Sequence, residues 1–391
     1  MSTTKNRPHN ILEIINLASS ARNFIGGQFV YLREHGYEMH LICSPDDEME
    51  EYARFNHVKY HPILLSRTLS PWADFKAFIE ICKYIHNNRI DTVIAHQAKA
   101  RLLGTTAAWM LRVPNRIIFA HGVIFETMKG LKRKLVILMD RMVATMSHKT
   151  VCVSRSVANA RLLNNVEKSS RQYLLGVGTC GGIDTQNLFN PVRIVQTEQD
   201  ELKRSLGISD NDFVIGFCGR MVQDKGIREL VDAFKLIKQE RSNDHNIKLL
   251  LIGPVEVRDS ISQELVDFIK TGEDIINCGS VNHDDIYKYF SLFSVVVLPS
   301  YREGFGMVTI ECAAMNIPAI VSKSTGCIDS IVENETGVYC EINTKSIADK
   351  INFMIDHEEK RKEMGEKARR LTVELYDNKV VWPHIIKVIE A

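Results

Sequence analysis

Short apolar runs alternate with segments of helical period along the first half of the chain. Runs of strand length such as Ile11–Leu17, Glu38–Cys43 and Thr92–Ala95 are separated by stretches whose apolar residues recur at three- and four-residue steps. This alternation is typical of a parallel sheet that is covered by helices on both faces. The segment Asp74–Asn87 is one such helix, and its period predicts a single buried stripe. The stripe consists of Phe75, Phe78, Ile79, Cys82 and Ile85.

The alternation restarts after a polar stretch at residues 191–212. The second half predicts strands at Phe213–Cys218, Ile247–Ile252 and Val295–Leu298, with a helix at Ile227–Glu240 between the first two. Ligands of doubly wound folds bind at the carboxyl ends of the strands. The loops that follow these strands are therefore the places where chemistry is expected.

The length of the chain predicts more than one domain. It has 391 residues, whereas single hydrophobic cores stop growing at about 250–300 residues. We predict an α/β protein with two doubly wound, Rossmann-like domains, at residues 1–190 and 191–374. A C-terminal helix at residues 375–391 is expected to return to the first domain.

Composition narrows the class of protein. The 49 Lys+Arg residues balance 48 Asp+Glu, and 45% of residues are hydrophobic, which is an ordinary globular composition and disfavours disorder or a nucleic-acid partner. The nine cysteines show no metal-ligand spacing and lie mostly in apolar runs, so we expect reduced thiols. The polar segment Met1–Asn10 does not resemble a signal peptide, and no apolar run approaches the roughly 20 residues that span a bilayer. The expected location is the cytoplasm.

The stretch from Leu298 to Pro318 carries the most informative pattern. A buried strand ends there, a glycine-containing loop follows, and a helix begins near Gly306, so backbone N–H groups at the helix start are free to bind an anion. Glu303 lies in the loop and Glu311 about two turns along the helix, so both can point into one crevice. Glutamates are also common on solvated helix faces. These two indicate a functional site only in combination with a second motif.

A second pattern follows the first strand of the second half. It combines Gly219 and Arg220 with Lys225 and Gly226, just before a helix. The two cations are placed where a diphosphate needs counter-charge, and the glycines permit close approach of the backbone. Either cation alone fits a solvent-exposed cap, whereas both together beside the Glu303 loop favour an anion site.

These two elements, with Gly181–Asp184 at the end of the first half, resemble the retaining glycosyltransferases of family 4. The resemblance covers nearly the whole chain and is closest to the capsule and lipid-linked-oligosaccharide branch. It implies the GT-B fold, in which two Rossmann-like domains face each other across a cleft. It also implies an enzyme that transfers an N-acetylhexosamine or a hexose from a UDP-sugar to a lipid-linked or growing polysaccharide acceptor in cell-surface polysaccharide biosynthesis.

The resemblance assigns roles to residues of the second half. Arg220 and Lys225 match the residues that hold the donor diphosphate and offset charge on the leaving nucleotide. Glu303 matches the glutamate that contacts the donor sugar, and Glu311 matches the one that binds the ribose hydroxyls. Backbone contacts with the donor are implied for Gly219, Gly304, Phe305 and Gly306.

In the first half, the resemblance points to a histidine and a glycine loop. His121 matches a histidine that reaches the donor sugar, and Gly26 and Gly27 match the loop that faces the phosphates and the acceptor. The family often has an acidic residue after these glycines, where this chain has Gln28, so no acid or base is assigned there. His96 ends a comparable strand and could bind the acceptor, although histidines at strand ends are also often structural.

We expect no catalytic metal and no other cofactor. Preorganised cations and N–H dipoles can stabilise the charge that develops on a leaving diphosphate. Asp210-Asn211-Asp212 has the Asp-x-Asp form that binds metal in a different glycosyltransferase fold. It precedes a strand rather than following one, so we expect a turn there.

The segment Lys129–Lys149 is basic and amphipathic. It has six Lys and Arg residues against the single acid Asp140, interleaved with apolar residues. Such a helix can lie on an anionic membrane surface, where each cation near the lipid contributes about 1 kcal/mol. The alternative is a core helix with a solvated basic face. A polyprenyl-diphosphate-linked acceptor stays in the bilayer, which favours contact with the inner face of the cell membrane.

Three other activities fit parts of the pattern. A nucleotide-sugar 2-epimerase of the same fold would isomerise the donor or release UDP without any acceptor. A non-catalytic sensor would bind the nucleotide sugar without turnover. A dinucleotide-dependent oxidoreductase needs Gly-x-Gly-x-x-Gly after the first strand, where this chain has only Gly26-Gly27. A requirement for an acceptor separates the preferred transferase from the epimerase.

Overall fold

Two parallel sheets, each with helices packed on it, form the framework of the protein. The computed structural model describes residues 7–66, 68, 70–241, 246–256 and 261–391. The chain divides into a first unit, Met1–Gly181 with Val381–Ala391, and a second unit, Gly182–Val380. The predicted α/β architecture with two doubly wound domains is confirmed.

The first unit is built on a seven-stranded parallel sheet. Its strands are β1 (His9–Ile14), β2 (Tyr37–Cys43), β3 (Lys59–Pro62), β4 (Thr92–Ala95), β5 (Asn115–Ala120), β6 (Lys149–Cys152) and β7 (Gln172–Tyr173). Its helices are α1 (Ala18–Ser20), α2 (Gln28–Glu34), α3 (Met49–Phe55), α4 (Pro71–Asn87), α5 (Ala98–Met110), α6 (Gly130–Met146) and α7 (Arg155–Leu163). Strands β4 and β6 are buried along their whole length, because helices cover both faces of the sheet.

The second unit is built on a six-stranded parallel sheet. Its strands are β8 (Phe213–Cys218), β9 (Ile247–Ile252), β10 (Ile275–Asn277), β11 (Val295–Leu298), β12 (Ala319–Ser322) and β13 (Gly337–Cys340). Its helices are α8 (Gln196–Leu206), α9 (Ile227–Glu240), α10 (Gln263–Thr271), α11 (Ile286–Phe290), α12 (Met307–Ala314), α13 (Thr344–Asp356) and α14 (Glu358–Tyr376). The last helix, α15 (Asn378–Glu390), begins in the second unit and continues in the first.

Each sheet has one point at which the strand order reverses. The orders are β3-β2-β1-β4-β5-β6-β7 and β10-β9-β8-β11-β12-β13, so the reversals lie between β1 and β4 and between β8 and β11. At such a switch point the loops after the two strands leave in opposite directions and open a crevice at their carboxyl ends. Each unit therefore has one favoured location for a ligand.

Helix α15 is bonded to the first sheet. Its C-terminal carbonyls accept hydrogen bonds from Asn115 Nδ2 (2.8 Å, to Ile389) and from the buried Lys149 Nζ (2.7 Å, to Val388). Capping of the last carbonyls of a helix by cationic and amide donors is favourable. These bonds join the C-terminal segment Val381–Ala391 to the sheet of the first unit.

The units divide at Gly181–Gly182, before the predicted boundary at residues 190 and 191. The reason is a backbone exchange between Ile183 and the end of α14, in which Ile183 N donates to Tyr376 O and Asn378 N to Ile183 O, each at 2.9 Å. The Phe189 ring also stacks on Phe290 at 6.1 Å. The residues just after Gly181 therefore belong to the second core, although sequence polarity alone suggested a later break.

Helix α4 buries only part of the predicted stripe: Ile85 is buried, and Phe78 and Cys82 pack against the core. Its buried residues are Ala77, Ile81 and Ile85, whereas Phe75 and Ile79 are exposed. Residues spaced by four form one row along a helix, and the small Ala77 allows the helix to approach the sheet. The prediction included Phe75 and Ile79 and omitted Ala77 and Ile81, so it placed the buried face too far to one side of the helix.

Candidate active site

Two loops leave the switch point of the second sheet. Residues 219–226 connect β8 to α9, and residues 299–306 connect β11 to α12. They are bonded to each other: Tyr301 N donates to Asp224 O at 2.9 Å, and Arg302 Nη2 donates to the Asp224 carboxylate at 2.5 Å. The two loops that line the crevice between β8 and β11 are therefore hydrogen-bonded to each other.

Gly226 fixes how closely these loops pack. Its φ of +67° is left-handed, and a Cβ at this position would lie 2.2 Å from Pro299 O. Any other residue would be strained and would push the loops apart. The sequence predicted close backbone approach to a ligand here, whereas the structure shows close approach of one loop to the other.

Lys225 and Glu303 form an ion pair within the crevice. The Lys225 ammonium contacts Glu303 Oε1, and the same oxygen accepts a hydrogen bond from Ser300 Oγ at 2.9 Å. The Lys225 side chain is 20% exposed and that of Glu303 14% exposed. The sequence assigned these residues to different parts of a donor, and the structure brings them together. Ser300, which sequence reasoning missed, orients the carboxylate.

Arg220 lies apart from this pair. Its Nη1 donates to Glu256 Oε2 at 2.8 Å, and its side chain is 46% exposed. Glu256 follows β9, so the guanidinium is held over the carboxyl ends of β8 and β9. Sequence reasoning did not find Glu256, because only the order of strands in the sheet brings that loop beside residue 220.

The loop before α12 is held in place by the buried side chain of Phe305. The Phe305 side chain is 1% exposed and packs on the Tyr376 ring at 5.3 Å, so only its backbone remains for a ligand. Gly306 precedes the helix with φ +81°, a left-handed conformation that glycine adopts without strain. Gly304 and Gly306 lie on either side of Phe305 in the sequence. The first turn of α12 presents its N–H groups at this loop, as an anion site requires.

Glu311 is a carboxyl without a partner. It lies in α12 and has no hydrogen bond or ion pair within the described ranges of the chain. Burial raises its pKa to about 7. The Cys218 thiol at the end of β8 lies close to both Glu311 and Lys225. Burial raises the pKa of this thiol most, the charge of Glu311 raises it further, and the charge of Lys225 lowers it. The unpartnered acid therefore lies at the same strand end as the ion pair.

The switch point of the first sheet is closed by amide contacts. Gln97, directly after β4, accepts a hydrogen bond from Asn16 N at 3.1 Å and donates to Ser20 Oγ at 3.0 Å. The glycine loop follows on the β1 side, where Gly26 has φ +45° and a Cβ on Gly27 would lie 2.9 Å from the Trp382 ring. Both glycines thus have structural reasons to be there, beside any contact with phosphates or an acceptor.

His96 and His121 form a hydrogen-bonded chain with a buried acid. Glu13 Oε2 lies 2.6 Å from His96 Nε2, and His96 Nδ1 lies 2.9 Å from His121 Nε2. Burial lowers the pKa of His96 to about 3 and that of His121 well below its usual range. His96 has both ring nitrogens engaged within the protein, which disfavours its predicted contact with an acceptor. Glu13 was missed, although an acid inside an apolar strand was a visible signal.

The remaining motifs are structural. Gly181 O accepts a hydrogen bond from Trp382 Nε1 at 2.8 Å, and Asp184 Oδ1 accepts from Asn187 N at 2.8 Å. The Asp-x-Asp triplet forms the predicted turn, in which Asp212 Oδ2 accepts from Ser209 N at 2.8 Å. All nine cysteines are free thiols.

Helix α6 carries an apolar stripe on its outer face. Ile137, Val143 and Ala144 are buried beneath the helix. The exposed stripe comprises Leu131, Leu135, Leu138, Met139 and Met142. The outer face of the helix therefore carries apolar side chains as well as the cations of the predicted basic face. Among the described helices, none combines the length and the apolar character that a membrane crossing needs.

The chain matches two family models, Glycosyl transferases group 1 over residues 198–371 and Glycosyl transferase 4-like over residues 13–155. It is 31% identical to the capsular polysaccharide biosynthesis glycosyltransferase CapM of Staphylococcus aureus, over 92% of this chain and 91% of that protein. It is 22% identical, over 90% of each chain, to the N,N'-diacetylbacillosaminyl-diphospho-undecaprenol alpha-1,3-N-acetylgalactosaminyltransferase of Campylobacter jejuni. Its fold matches that of Anabaena HepE, solved in complex with UDP and glucose, with a TM-score of 0.79, 15% identity and coverage of 98% and 99%. The resemblance drawn from the sequence is confirmed, and the chain belongs to the group 1, family 4-like glycosyltransferases of GT-B fold.

Proposed function

We propose that this glycosyltransferase transfers an N-acetylhexosamine or a hexose, with retention of configuration, from a UDP-sugar to a lipid-linked or growing polysaccharide acceptor. The observation that carries the proposal is the crevice of the second unit, where Lys225, Glu303 and Glu311 meet at one strand end. CapM is a capsular polysaccharide biosynthesis glycosyltransferase, which supports a role in cell-surface polysaccharide biosynthesis. The Campylobacter enzyme is named for a diphospho-undecaprenol-linked sugar, which supports a lipid-linked acceptor.

Each group in the crevice suits one part of a nucleotide sugar. A carboxylate without a partner, such as Glu311, can accept hydrogen bonds from two ribose hydroxyls. An ammonium carries three hydrogens, so Lys225 can keep Glu303 and still donate to a phosphate oxygen. Glu303 is then placed for the hydroxyls of the sugar. The exposed Arg220 can turn from Glu256 to the diphosphate.

In the proposed reaction, the bond between the anomeric carbon and the diphosphate oxygen breaks, and its electron pair stays on that oxygen. The acceptor hydroxyl forms the new bond on the same face of the sugar and passes its proton to the leaving phosphate. Lys225, Arg220 and the N–H groups of α12 stabilise the charge that develops on the diphosphate. His121 donates a hydrogen bond to the sugar. We propose that these groups make a metal unnecessary.

Glu303→Gln is expected to separate transfer from binding. The variant keeps the shape of the side chain and its bond to Ser300, but removes the charge that faces the sugar. We expect kcat to fall about 100-fold, as for other losses of preorganised charge, with UDP affinity within about threefold of wild type. Steady-state kinetics and calorimetry with UDP measure the two effects. A loss of UDP affinity larger than the loss of kcat would contradict the assignment of Glu303 to the sugar.

We also propose that α6 rests on the membrane that holds a lipid-linked acceptor. Its apolar stripe is flanked by exposed cations, Lys129, Lys132, Lys134 and Arg141. Apolar side chains that enter the acyl boundary and cations at the anionic headgroups bind a helix in the plane of the membrane. The side chains of Leu131 and Leu138 are 82% and 60% exposed, and burial in lipid would remove this surface from water.

Leu131→Asp with Leu135→Asp is expected to lower affinity for vesicles at least about tenfold, because burying one leucine contributes about 1.5–3 kcal/mol. The vesicles contain phosphatidylglycerol, and binding is measured by co-sedimentation. Leu163→Asp on α7 is the matched control, since Leu163 is 83% exposed and lies outside the stripe. Equal losses in the two variants, or none, would contradict the proposed membrane face.

The assay that tests the function supplies purified protein with each of several nucleotide sugars, with and without a polyprenyl-diphosphate-linked sugar, and with and without EDTA. We expect nucleotide release that depends on acceptor and is insensitive to EDTA. Isomerised donor without acceptor would favour the 2-epimerase instead. Tight UDP binding with no turnover on any acceptor would favour a sensor. Loss of activity with EDTA would contradict the proposed metal-free reaction.

A further inference from the structure

A buried acid in the first unit has no part in the reaction proposed above. Glu13 lies in β1 between apolar neighbours and is 1% exposed. A buried carboxyl is costly unless it is hydrogen-bonded, and a charged one is more costly still. The contact that satisfies it is the 2.6 Å bond between Glu13 Oε2 and His96 Nε2. Core packing alone does not explain why an acid occupies position 13, so Glu13 is expected to have another role.

The bond from Glu13 continues to His121. The His96 ring stacks on the Phe119 ring, with their centroids 4.5 Å apart. The His96 Nδ1 atom lies 2.9 Å from His121 Nε2. The other nitrogen of His121, Nδ1, lies 3.6 Å from Cys180 Sγ. A thiol is a weak partner, which a hydroxyl of a ligand could replace. Nδ1 is therefore the nitrogen of His121 at which a ligand hydroxyl could take the place of the thiol.

The direction of this chain of bonds is set at Glu13. A neutral imidazole has one donor and one acceptor nitrogen, so the proton on either ring determines the next. If the Glu13 carboxyl donates to His96 Nε2, then His96 Nδ1–H donates to His121 Nε2, and His121 carries its hydrogen on Nδ1. If an ionised Glu13 accepts instead, every bond reverses and His121 Nδ1 becomes an acceptor.

The surroundings favour the first direction. Burial raises the pKa of Glu13 well above its usual range, and burial together with the charge of Arg101 lowers the pKa of His96. Arg101 itself is buried and donates to Asp140 at 3.0 Å. The cation and burial oppose protonation of either histidine, and burial opposes ionisation of the Glu13 carboxyl, so both effects favour a neutral carboxyl that donates to a neutral His96.

We propose that Glu13 is a positioning residue that acts through His96 to hold His121 in the tautomer with hydrogen on Nδ1, which is the atom that donates to an oxygen of the donor sugar. The ligand in this inference rests on the proposed function. The chain Glu13–His96–His121 does not, and it can be tested in the free protein.

The test compares wild type, Glu13→Gln and Glu13→Leu, each labelled with ¹⁵N-histidine and studied by NMR. Protonated and unprotonated ring nitrogens resonate in separate ranges, and His121→Gln assigns the His121 signals. We expect Nδ1–H at His121 in wild type and in Glu13→Gln, because the amide can donate as the carboxyl does. Glu13→Leu removes the donor, and we expect its His121 to show a mixture of tautomers. Circular dichroism and thermal unfolding establish that the variants are folded.

The same variants are assayed for transfer. We expect Glu13→Leu to lower kcat about tenfold or more, as for the loss of one buried hydrogen bond, with UDP affinity unchanged and Glu13→Gln within about threefold of wild type. His96→Phe keeps a ring on Phe119 and breaks the chain at the next link. Adding Glu13→Leu to His96→Phe should lower kcat no further, because Glu13 acts only through His96.

Two results would overturn the inference: an Nε2–H tautomer at His121 in wild type, or a Glu13→Leu variant with unchanged tautomer and unchanged kcat. Additive losses in the double variant would likewise show that Glu13 acts without His96. A tautomer that changes as expected in a protein without transferase activity would keep the positioning role of Glu13 and reject the proposed function.

Discussion

Replacing Lys225 with alanine is expected to lower kcat about 100-fold or more. The variant loses a donor aimed at the developing charge, and such losses cost 10²–10³-fold in other enzymes. It also leaves the Glu303 carboxylate, which is 14% exposed, beside a diphosphate without its cation. We expect the double variant Lys225→Ala, Glu303→Gln to bind UDP more tightly than Lys225→Ala alone, because the unpaired charge is gone.

Alanine variants of two nearby arginines, Arg228 and Arg220, provide reference values for the kcat of Lys225→Ala. Arg228→Ala is the matched control, because Arg228 is an exposed cation at the start of α9 that bonds to Ser262 Oγ at 2.8 Å instead of facing the crevice. We expect its kcat to match wild type. Arg220→Ala should lie between the two, with a loss of roughly 30-fold for one charged hydrogen bond. An effect of Lys225→Ala no larger than that of Arg228→Ala would remove Lys225 from the site.

Replacing Glu311 with glutamine is expected to stabilise the folded protein above neutral pH. Burial raises the pKa of Glu311 to about 7, above the ordinary value of 4.5, so the folded state binds this proton more tightly than the unfolded state does. The contribution of the neutral acid to stability is complete below pH 4.5 and is lost as pH rises through 7. Glutamine stays neutral at every pH and avoids this loss.

Thermal or urea unfolding at pH 5 and pH 8 measures the effect. We expect Glu311→Gln to gain about 2–3 kcal/mol at pH 8 and little at pH 5. Glu359→Gln is the control, since Glu359 is 90% exposed, and its stability should follow wild type at both pH values. The same pH dependence in Glu311→Gln and wild type would contradict a half-buried, unpartnered carboxyl with a raised pKa.

The same substitution should weaken nucleotide binding. An ionised Glu311 accepts hydrogen bonds from the ribose, and an amide accepts only weakly, so we expect UDP affinity to fall about tenfold or more. Calorimetry at pH 8 measures the change. Higher stability together with lower affinity would identify Glu311 as a residue kept for binding at the expense of folding. Unchanged affinity would remove it from the nucleotide site.

Much of the second unit could be predicted from the sequence. The bounds of β8, β9, β11 and α9 agree with their predicted residues, because strands covered on both faces are short apolar runs that end at loops. The motifs at residues 219–226 and 299–311 were recognisable for the same reason. Their positions follow from the ends of strands, and their chemistry follows from residue type.

The remaining features depend on contacts that are distant in sequence. Glu256 reaches Arg220 only because β9 lies beside β8, and Glu13 meets His96 only because β4 lies beside β1. The outward face of α4 was mispredicted because Phe75 and Ile79 are apolar but not buried. A helical period shows that a face exists, whereas the choice between two apolar faces is made by the sheet beneath.

The most direct test of the central claim follows the anomeric carbon. Donor UDP-sugars labelled with ¹³C at C1 are incubated with wild-type protein and a short polyprenyl-diphosphate-linked sugar, and the first product is analysed by NMR. We expect a new glycosidic bond to the acceptor with the configuration of the donor, in the presence of EDTA, and no product with Lys225→Ala over the same time. An inverted product, or a labelled sugar that is isomerised or hydrolysed but never joined to the acceptor, would contradict it.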